Sequence, residues 1–463
     1  MMKYKKEASY YHFLTPSAKI IVLGVMTLVI SVGLQLLKSS LSNIFSSFGS
    51  SNTSSISSYS TTGIILFIVG IILIAIGIRM HMHLRNSTRI KYIVKKGLFY
   101  YAYGNPLHLK EGEKLPALHC INTEVGKYEL ILSTGVASVE DLQKLSTNIS
   151  ACLNNRYKRY AVTQTRSDLA FNTVSFLIED VTIDRNLRIK SSIQLKSGDP
   201  TRLPIQQGMF IDLTTSGSIL VAGKTRSGKT TGIISILLSA LSWGRDQYGS
   251  EIIIIDPKQA ELSRLPYTYT LDHNGEAQGI LHAISNFEST IKKRQQILND
   301  LSMESGDAVK WFEIGMHASF LFIDEYVSCR SLFPRKNKDT ANYNIDLFDN
   351  AIKRIVTMGA SAGCFVILSI AEASVESGGL PSMLRSAMST KILFRPTLPE
   401  ARLLWDSELL NNLNTGRTFQ PGDAWFSSTD GVNDTPCCVH FPIMEFPIYK
   451  ELGKLIEHYY KIM

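Results

Sequence analysis

Cysteine is scarce in this sequence of 463 residues, which contains six. No two cysteines form a Cys-x-x-Cys pair. A disulfide-stabilised scaffold or a zinc ribbon is therefore disfavoured, and reduced thiols in a cytosolic compartment are the simpler interpretation. Charged residues are also few, at 19%, but 44% of residues are apolar, which excludes a disordered chain and suffices for a packed core.

The charge that is present is predominantly positive. The formal net charge is +8 and the isoelectric point is about 9.0. A basic balance suits a nucleic acid or an anionic membrane surface and does not choose between them. The length allows two to four domains.

Two long apolar runs, Ile20–Leu37 and Gly63–Ile78, lie near the start of the sequence. As helices they would be roughly 24–27 Å long, close to the thickness of a bilayer core. Between Ser39 and Ile78 there is no charged residue, which is rare in soluble proteins. A signal peptide and buried core helices are weaker alternatives. The pattern predicts membrane-spanning helices at about 20–37 and 63–80.

Positive charge flanks this predicted hairpin at its outer ends and is nearly absent between the runs. The flanking cations are Lys3, Lys5, Lys6 and Lys19 before the first run, and Arg79, Arg85, Arg89, Lys91, Lys95 and Lys96 after the second. The positive-inside rule then predicts a multi-pass protein of the cell membrane with both termini in the cytoplasm. The connecting segment Ser39–Thr62 has twelve serines and is expected to be a short flexible linker on the outer face.

The membrane anchor is assigned to residues 1–91, and residues 92–200 are predicted to form a small α+β domain. Its expected elements are strands at Tyr128–Leu132 and Thr173–Ile178 and an amphipathic helix at Ser138–Asn155. Residues 156–160, Arg-Tyr-Lys-Arg-Tyr, could contact nucleic acid or could be a solvated helix end.

The strongest motif is Gly223–Thr230, which fits G-x-x-x-x-G-K-[ST] at every fixed position. An apolar strand, Ser218–Ala222, leads into it and a helical run, Thr231–Leu241, leads out. Glycines let backbone amides surround a phosphate, and the helix points its positive end at the same anion. Lys229 would reach the β- and γ-phosphates of ATP, and Thr230 would bind Mg²⁺. The residues assigned to the nucleotide are Gly223, Lys224, Thr225, Arg226, Ser227, Gly228, Lys229, Thr230 and Thr231.

ATP hydrolysis needs a second, acidic strand, and Phe320–Ile323 followed by Asp324 and Glu325 fits that requirement. Asp324 would help to hold Mg²⁺, and Glu325 would orient and deprotonate the attacking water. The alternative is an ordinary buried strand that ends in an acidic turn.

Further strands alternate with helices over residues 201–463. Strands are expected at Glu251–Ile255, Cys364–Ser369 and Lys391–Phe394, with a helix at Asp346–Met358. This alternation predicts an α/β fold, a RecA-like P-loop NTPase core with a mostly parallel sheet and helices on both faces. The ligand is then expected at the carboxyl ends of the strands.

The ordered set of P-loop, Asp256-Pro257-Lys258 and Asp324-Glu325 resembles the motor domain of FtsK/SpoIIIE DNA translocases over about residues 200–445. A helix at Ile280–Leu298 is similar to the helix that precedes the acidic strand of that family. The resemblance implies ATP hydrolysis coupled to DNA translocation in a ring, expected to be a hexamer. DNA would lie in a basic pore, contacted mainly at its phosphates. Four residues after the acidic strand could face that pore or could belong to a solvated surface loop: Arg330, Arg335, Lys336 and Lys338.

Three positions depart from the family pattern. Ser369-Ile370-Ala371 stands where the family has Ala-Thr-Gln, so Ala371 replaces a glutamine that senses the γ-phosphate. Ala360 replaces an arginine after Gly359, and Arg226 replaces a glycine inside the phosphate loop. The link between hydrolysis and movement is therefore expected to be rearranged.

The order of two spans, a short middle domain and one motor is similar to TcpA-like coupling proteins of conjugative elements in Gram-positive bacteria. That resemblance implies delivery of DNA to a membrane transfer channel, with a relaxase and channel proteins as partners. Three alternatives stay open: a chromosome-partition translocase, which usually has four spans and a winged-helix module; a protein-secretion ATPase, which usually has several motor domains; and a nucleotide-gated docking protein without pumping activity.

Overall fold

The computed structural model describes residues 4–5, 9–47, 53–100, 105–135, 137–168, 170–183, 185–371, 380–410 and 418–461. The helices are α1 (Pro16–Ser47), α2 (Thr53–Met82), α3 (Asn86–Phe99), α4 (Val139–Gln143), α5 (Ser146–Cys152), α6 (Lys229–Leu241), α7 (Gln278–Ser305), α8 (Tyr326–Ser331), α9 (Ile345–Met358), α10 (Ser382–Ala387), α11 (Leu398–Leu404), α12 (Ser407–Leu410) and α13 (Ile448–Lys461). The strands are β1 (Leu118–Glu124), β2 (Lys127–Ser133), β3 (Tyr160–Ser167), β4 (Thr173–Asp180), β5 (Arg188–Ile189), β6 (Arg202–Gln206), β7 (Met209–Asp212), β8 (Ile219–Gly223), β9 (Ile252–Ile255), β10 (Thr268–Tyr269), β11 (Ser319–Ile323), β12 (Cys364–Ile370), β13 (Thr390–Phe394), β14 (Asp423–Ser428), β15 (Cys437–His440) and β16 (Ile443–Met444).

The chain forms two compact units, Met1–Ile183 and Asp184–Met463. The sequence analysis placed its domain boundary at 200/201. However, Ile189 and Leu195, which precede that boundary in the sequence, are buried in the core of the second unit.

In the first unit, α1 and α2 pack as an antiparallel pair through small residues. A Cβ atom on Gly77 would lie 2.6 Å from the Ile21 side chain, and one on Gly24 would lie 2.7 Å from the Ile74 side chain. Only glycine allows the two helices to approach this closely. Because the helices are antiparallel, the start of α1 and the end of α2 lie at the same end of the hairpin.

Within this pair, residues 16–40 and 61–82 are long and apolar enough to cross a membrane. Their outward side chains are apolar and exposed, as at Val29 (66%) and Ile65 (60%). The predicted linker over Ser39–Thr62 is wrong in its extent, because α1 continues to Ser47 and α2 begins at Thr53. Serine costs a helix only a few tenths of a kcal/mol per residue, so a serine-rich segment can continue one. The intervening residues 48–52 lie outside the described part of the chain.

The rest of the first unit is an antiparallel sheet in the order β1-β2-β4-β3, packed against α3, α4 and α5. The two predicted strands are confirmed as β2 and β4. The single helix predicted over Ser138–Asn155 is wrong, since the segment divides into α4 and α5. A hydrogen bond from the Leu145 N–H to the Leu142 carbonyl tightens the chain between them and keeps both leucines buried. Ser138 caps α4 by accepting from the Asp141 N–H at 3.1 Å.

The second unit contains an eight-stranded sheet in the order β10-β9-β11-β12-β8-β13-β14-β15. Strands β10 through β13 in that order are parallel, whereas β14 and β15 are antiparallel at one edge. Side chains of α6 and α13 pack in one apolar core, and those of α7 and α9 pack in another. Neighbouring residues of β8 alternate between these cores, with Val221 in the first and Leu220 in the second. The predicted mostly parallel sheet with helices on both faces is thus confirmed.

Candidate active site

The phosphate loop lies between β8 and α6 and is shaped by two glycines. Gly223 has φ +152°, and a Cβ atom there would lie 2.9 Å from the Phe394 Cβ. Gly228 has φ +94°, and a Cβ atom there would lie 2.6 Å from the Gly422 nitrogen. Any larger residue at either position would strain the backbone and collide with a neighbouring segment. The loop geometry therefore requires both glycines of the motif.

The loop is held closed by backbone hydrogen bonds. The Gly422 N–H donates to the Ser227 carbonyl at 2.9 Å, and the Ser227 N–H donates to the Lys224 carbonyl at 3.2 Å. Lys224, Thr225 and Arg226 are exposed, and so is Thr231, whereas Thr230 in the first turn of α6 is half-buried. A nucleotide that enters from solvent can therefore contact these exposed residues.

Lys229 is buried and paired. Its side chain is 9% exposed, and its Nζ lies 3.1 Å from the Glu325 Oε1 and 3.2 Å from the Ile370 carbonyl oxygen. A buried ammonium group needs such partners, because its desolvation is otherwise costly. The tertiary structure therefore brings the P-loop lysine and the proposed general base into direct contact from positions 96 residues apart.

Glu325 also forms an ion pair with Lys258, whose Nζ lies 3.4 Å from the same Oε1 oxygen. Lys258 is placed by Asp256, a fully buried carboxylate that accepts from the N–H groups of Lys258, Ala260 and Ser263 at 2.9–3.1 Å. Glu325 itself has φ +51°, a left-handed conformation that costs a non-glycine residue about 1–3 kcal/mol. Backbone strain of this kind often accompanies functional positions.

Asp324 lies at the end of β11, with its N–H bonded to the Ile255 carbonyl of the neighbouring strand. Burial raises the pKa of Asp324, and the negative charges of Glu325 and Asp256 add to that rise, while the nearby Ser369 hydroxyl and the Lys229 charge oppose it. A buried carboxylate among other carboxylates is stabilised when a cation binds beside it.

These residues fit Mg²⁺ delivered with a nucleotide. Asp324 and Thr230 offer only oxygen ligands, which this ion prefers. Among the residues that the structure describes, no group of three or more His, Cys, Asp or Glu could hold a metal by itself. Mg²⁺ commonly keeps waters and phosphate oxygens as its remaining ligands, so a site with few protein ligands suits it.

Comparison with protein families identifies this part of the chain. Residues 183–384 match the model of the FtsK/SpoIIIE family. Over these residues the chain is similar to that family. The resemblance drawn from the P-loop, the Asp-Pro-Lys turn and the acidic strand is therefore confirmed over these residues, and members of this family are P-loop ATPases.

The chain is also similar to several solved structures. One is the pCW3 conjugation coupling protein TcpA in its monomer form with ATPγS, at 12% identity and a TM-score of 0.44, covering 74% of this chain and 94% of that one. Another is EssC (ATPases 2 and 3) of Geobacillus thermodenitrificans, at 16% identity and a TM-score of 0.42, covering 61% of this chain and 53% of that one. A third is the cytoplasmic domain of the type VII secretion ATPase EccC of Thermomonospora curvata, at 15% identity and a TM-score of 0.39, covering 57% of this chain and 32% of that one. No curated protein matches the sequence significantly.

Two of the residues that depart from the FtsK/SpoIIIE pattern, Arg226 and Ala371, lie in the phosphate loop and at the end of β12, respectively. Arg226 has φ +63°, a conformation that glycine adopts without strain, which explains why glycine suits that position. At the end of β12 the Ile370 carbonyl contacts Lys229, and Ala371 follows without a polar side chain. Residues 372–379 lie outside the described residues.

A histidine–aspartate pair, His440 and Asp423, lies next to the segment that hydrogen-bonds to the phosphate loop. The His440 Nδ1 lies 2.7 Å from the Asp423 Oδ1, and the other oxygen of Asp423 accepts from the Gln420 N–H at 2.7 Å. Between them, Gly422 has φ +94°, with His440 close beneath it and Ser227 bonded to its N–H. The sequence offered no signal for this pair, because β14 and β15 come late in the chain and carry no motif.

The basic residues expected to face DNA differ in their surroundings. Arg330 belongs to α8 and makes two hydrogen bonds of 2.8 Å to Asp349, so it is engaged within the domain. Arg335, Lys336 and Lys338 are exposed in the following loop.

In the first unit, the stretch 156–160 is not an open stacking surface. Tyr157 is buried and donates from its hydroxyl to the Asn86 side chain at 3.1 Å. This tyrosine therefore serves the core of that unit.

Proposed function

We propose that this protein is a membrane-anchored motor that uses ATP hydrolysis to move DNA, and that it delivers DNA to a transfer channel during conjugation. The observation that carries the proposal is the meeting of Lys229, Asp324 and Glu325 at the carboxyl edge of the sheet in an FtsK/SpoIIIE domain.

The chemistry assigned to the site follows from these contacts. Lys229 moves its ammonium group from Glu325 to the β- and γ-phosphates, and that exchange leaves Glu325 free to take a proton from the attacking water. Lys258 stays within reach of Glu325 and orients its carboxylate. Thr230 and Asp324 would hold Mg²⁺, which would neutralise charge at the phosphates.

The antiparallel pair α1–α2 is proposed as the membrane anchor, in a multi-pass protein of the cell membrane. Ser17 at the start of α1 lies 3.3 Å from the His81 ring at the end of α2, so both flanking segments leave the hairpin at one end. The positive residues flanking the hairpin favour the cytoplasm for that end, and therefore for the motor domain and both termini.

DNA is the proposed cargo, bound at its phosphates. Arg335, Lys336 and Lys338 are exposed cations that could contact the backbone inside a ring, which we propose to be a hexamer. Binding of this kind depends little on sequence and falls steeply with salt. A relaxase and the channel proteins are the further proposed partners.

A nucleotide-gated docking protein is the second candidate, and Ala371 is the observation that favours it. An alanine at the end of β12 cannot report the γ-phosphate through an amide group, so hydrolysis could be slow or uncoupled from movement. This candidate predicts ATP binding without an effect of DNA on turnover. A chromosome-partition translocase shares the motor chemistry and would differ in its cargo.

ATP turnover of the full chain in detergent, with and without DNA, distinguishes these candidates. The motor predicts that DNA raises turnover several-fold and that stimulation declines between about 50 and 200 mM salt. Lys229→Ala is the blank, because it removes the charge that contacts phosphate while Lys258 still pairs with Glu325. Equal turnover in Lys229→Ala would show that the assigned site is wrong. Turnover that DNA does not change would reject the motor in favour of docking.

Transfer in cells tests the conjugative role separately. Mobilisation frequency should fall to the background level with Lys229→Ala. Normal mobilisation, together with defective chromosome partition, would point instead to the partition translocase.

A further inference from the structure

The segment that surrounds the hairpin is one-sided in charge. From residue 8 to residue 110 the sequence contains no Asp or Glu, although nine Lys or Arg residues occur there. The positive-inside rule requires cations near the ends of the spans but does not require the removal of every carboxylate. Apart from Lys110, which directly precedes Glu111, the cations in this segment therefore have no acidic partner nearby in sequence.

Three of these cations come together from two helices. Lys91 and Lys95 are one turn apart on α3. The next residue, Lys96, donates to the Tyr10 hydroxyl at 2.6 Å, and Lys19 of α1 lies against the ring of the adjacent Tyr11, so these two tyrosines bring the start of α1 close to α3. The pKa of Lys95 is lowered, first by burial and then by the positive charges of Lys19 and Lys91. Within the part of the chain that the structure describes, none of the three forms an ion pair with a carboxylate. Such a cluster is stabilised when an anion binds between its members.

Tyrosines accompany the cations. The Lys19 Nζ lies 5.4 Å from the centre of the Tyr11 ring, and the Lys95 Nζ lies 5.9 Å from that of Tyr92. Tyr11 is 42% exposed although it is large and largely apolar. Rings with one apolar and one polar end, set among cations, are typical of the layer between water and lipid tails.

The position of the cluster completes the argument. Lys19 lies in the first turn of α1, at the end of the hairpin where Ser17 meets His81. Helix α3 begins four residues after α2 ends. The cluster is thus placed where phosphate groups of a bilayer lie when the hairpin spans it.

We propose that Lys19, Lys91 and Lys95 form a binding site for the phosphate head group of an anionic phospholipid. The site rests on the membrane anchor proposed above. Such a site would make the affinity of the anchor for a membrane depend on the fraction of anionic lipid. A soluble phosphate offers the same chemistry, so the experiment separates the two sources.

Binding of fluorescent phosphatidylglycerol and phosphatidylcholine to the full chain in non-ionic detergent tests this site. Each lysine near an anionic surface is worth about a five-fold gain in affinity, so Lys19→Gln, Lys91→Gln and Lys95→Gln together should weaken phosphatidylglycerol binding by roughly 100-fold at low salt. The control carries Lys292→Gln, Lys310→Gln and Lys454→Gln, which remove the same charge from exposed positions of the second unit. Melting curves check that both variants are folded.

A preference for phosphatidylglycerol that is lost in the first variant and kept in the control supports the site. Equal binding of both lipids, or an equal loss in the control, overturns it. Displacement of the lipid by millimolar glycerol phosphate overturns the lipid assignment in favour of a soluble phosphate. Alkaline washing of membranes tests the anchor independently: release of the wild-type chain refutes the anchor and this site with it, whereas retention without lipid preference refutes only this site.

Discussion

Replacing Glu325 by Gln should slow ATP hydrolysis and at the same time strengthen ATP binding. In the structure the Lys229 Nζ lies 3.1 Å from the Glu325 Oε1, and ATP must take the lysine away from that carboxylate. Coulomb's law with an effective dielectric constant of about 20 gives roughly 5 kcal/mol for two charges at this separation. Desolvation of both groups offsets most of that attraction. We expect a net effect of about 1 kcal/mol, or about five-fold tighter ATP binding.

The same substitution removes the proton acceptor, which should lower kcat by about 10²–10⁴-fold. Gln keeps the shape of the side chain and an oxygen for Lys229, so the melting temperature should change little. Glu304→Gln is the matched control, since it removes one carboxylate from an exposed position on α7. Equilibrium titration with a fluorescent ATP analogue and steady-state turnover measure the two effects. Weaker nucleotide binding, or unchanged kcat, would refute the pairing of Lys229 and Glu325 as the resting arrangement.

Three further predictions concern backbone, membrane and charge. Gly228→Ala should abolish nucleotide binding and cost at least about 2 kcal/mol of stability, whereas Gly275→Ala, which has positive φ and no neighbour within 4 Å, should cost only about 1 kcal/mol and bind normally in the same titration and denaturant melts. Gly77→Val should separate the two membrane helices and reduce disulfide crosslinking between cysteines introduced on α1 and α2, while Gly33→Val, with no neighbour within 4 Å, should leave crosslinking unchanged; equal effects would argue against the helix pair. Asp324→Asn should raise the melting temperature at pH 7.5, because burial raises the pKa of Asp324 and its ionised form costs stability in the folded chain above the ordinary pKa of aspartate. That gain should shrink as the pH falls toward that ordinary value, and a gain that grows on acidification would contradict the reasoning.

Much of the motor fold was predictable because its signals are local. Strands β8, β9, β11 and β12 are short apolar runs that end in glycine, an acidic residue or a turn. A parallel strand buried on both faces must be apolar throughout, so its pattern is visible without knowledge of its partners. The helices between them bury one face against the sheet, so their apolar residues recur at helical spacing, which is also visible in the local sequence. The antiparallel strands β14 and β15 were missed, since they carry no motif and their pairing depends on contacts distant in sequence.

The connection between the two membrane helices shows the limit of composition. Its serines indicated a linker, but α1 continues to Ser47 and α2 begins at Thr53. Serine is a weak helix breaker, so the choice between coil and helix depends on the helices already formed at either side. The division of the segment 138–155 into α4 and α5 is similar, because the position of buried leucines against the sheet decides where the helix ends.

The candidate site was predictable from local sequence: a phosphate loop with Lys229 and Thr230, and an acidic strand end with Asp324 and Glu325. These choices depend on residue type and on the order of strands, both of which are written along the chain. The contacts between these groups could be seen only in the folded chain. The fold placed Lys258 on Glu325, the Ile370 carbonyl on Lys229, and the Asp423–His440 pair beneath the loop. Side-chain contacts between strands depend on register and crossover geometry, which bring together residues that no local spacing relates.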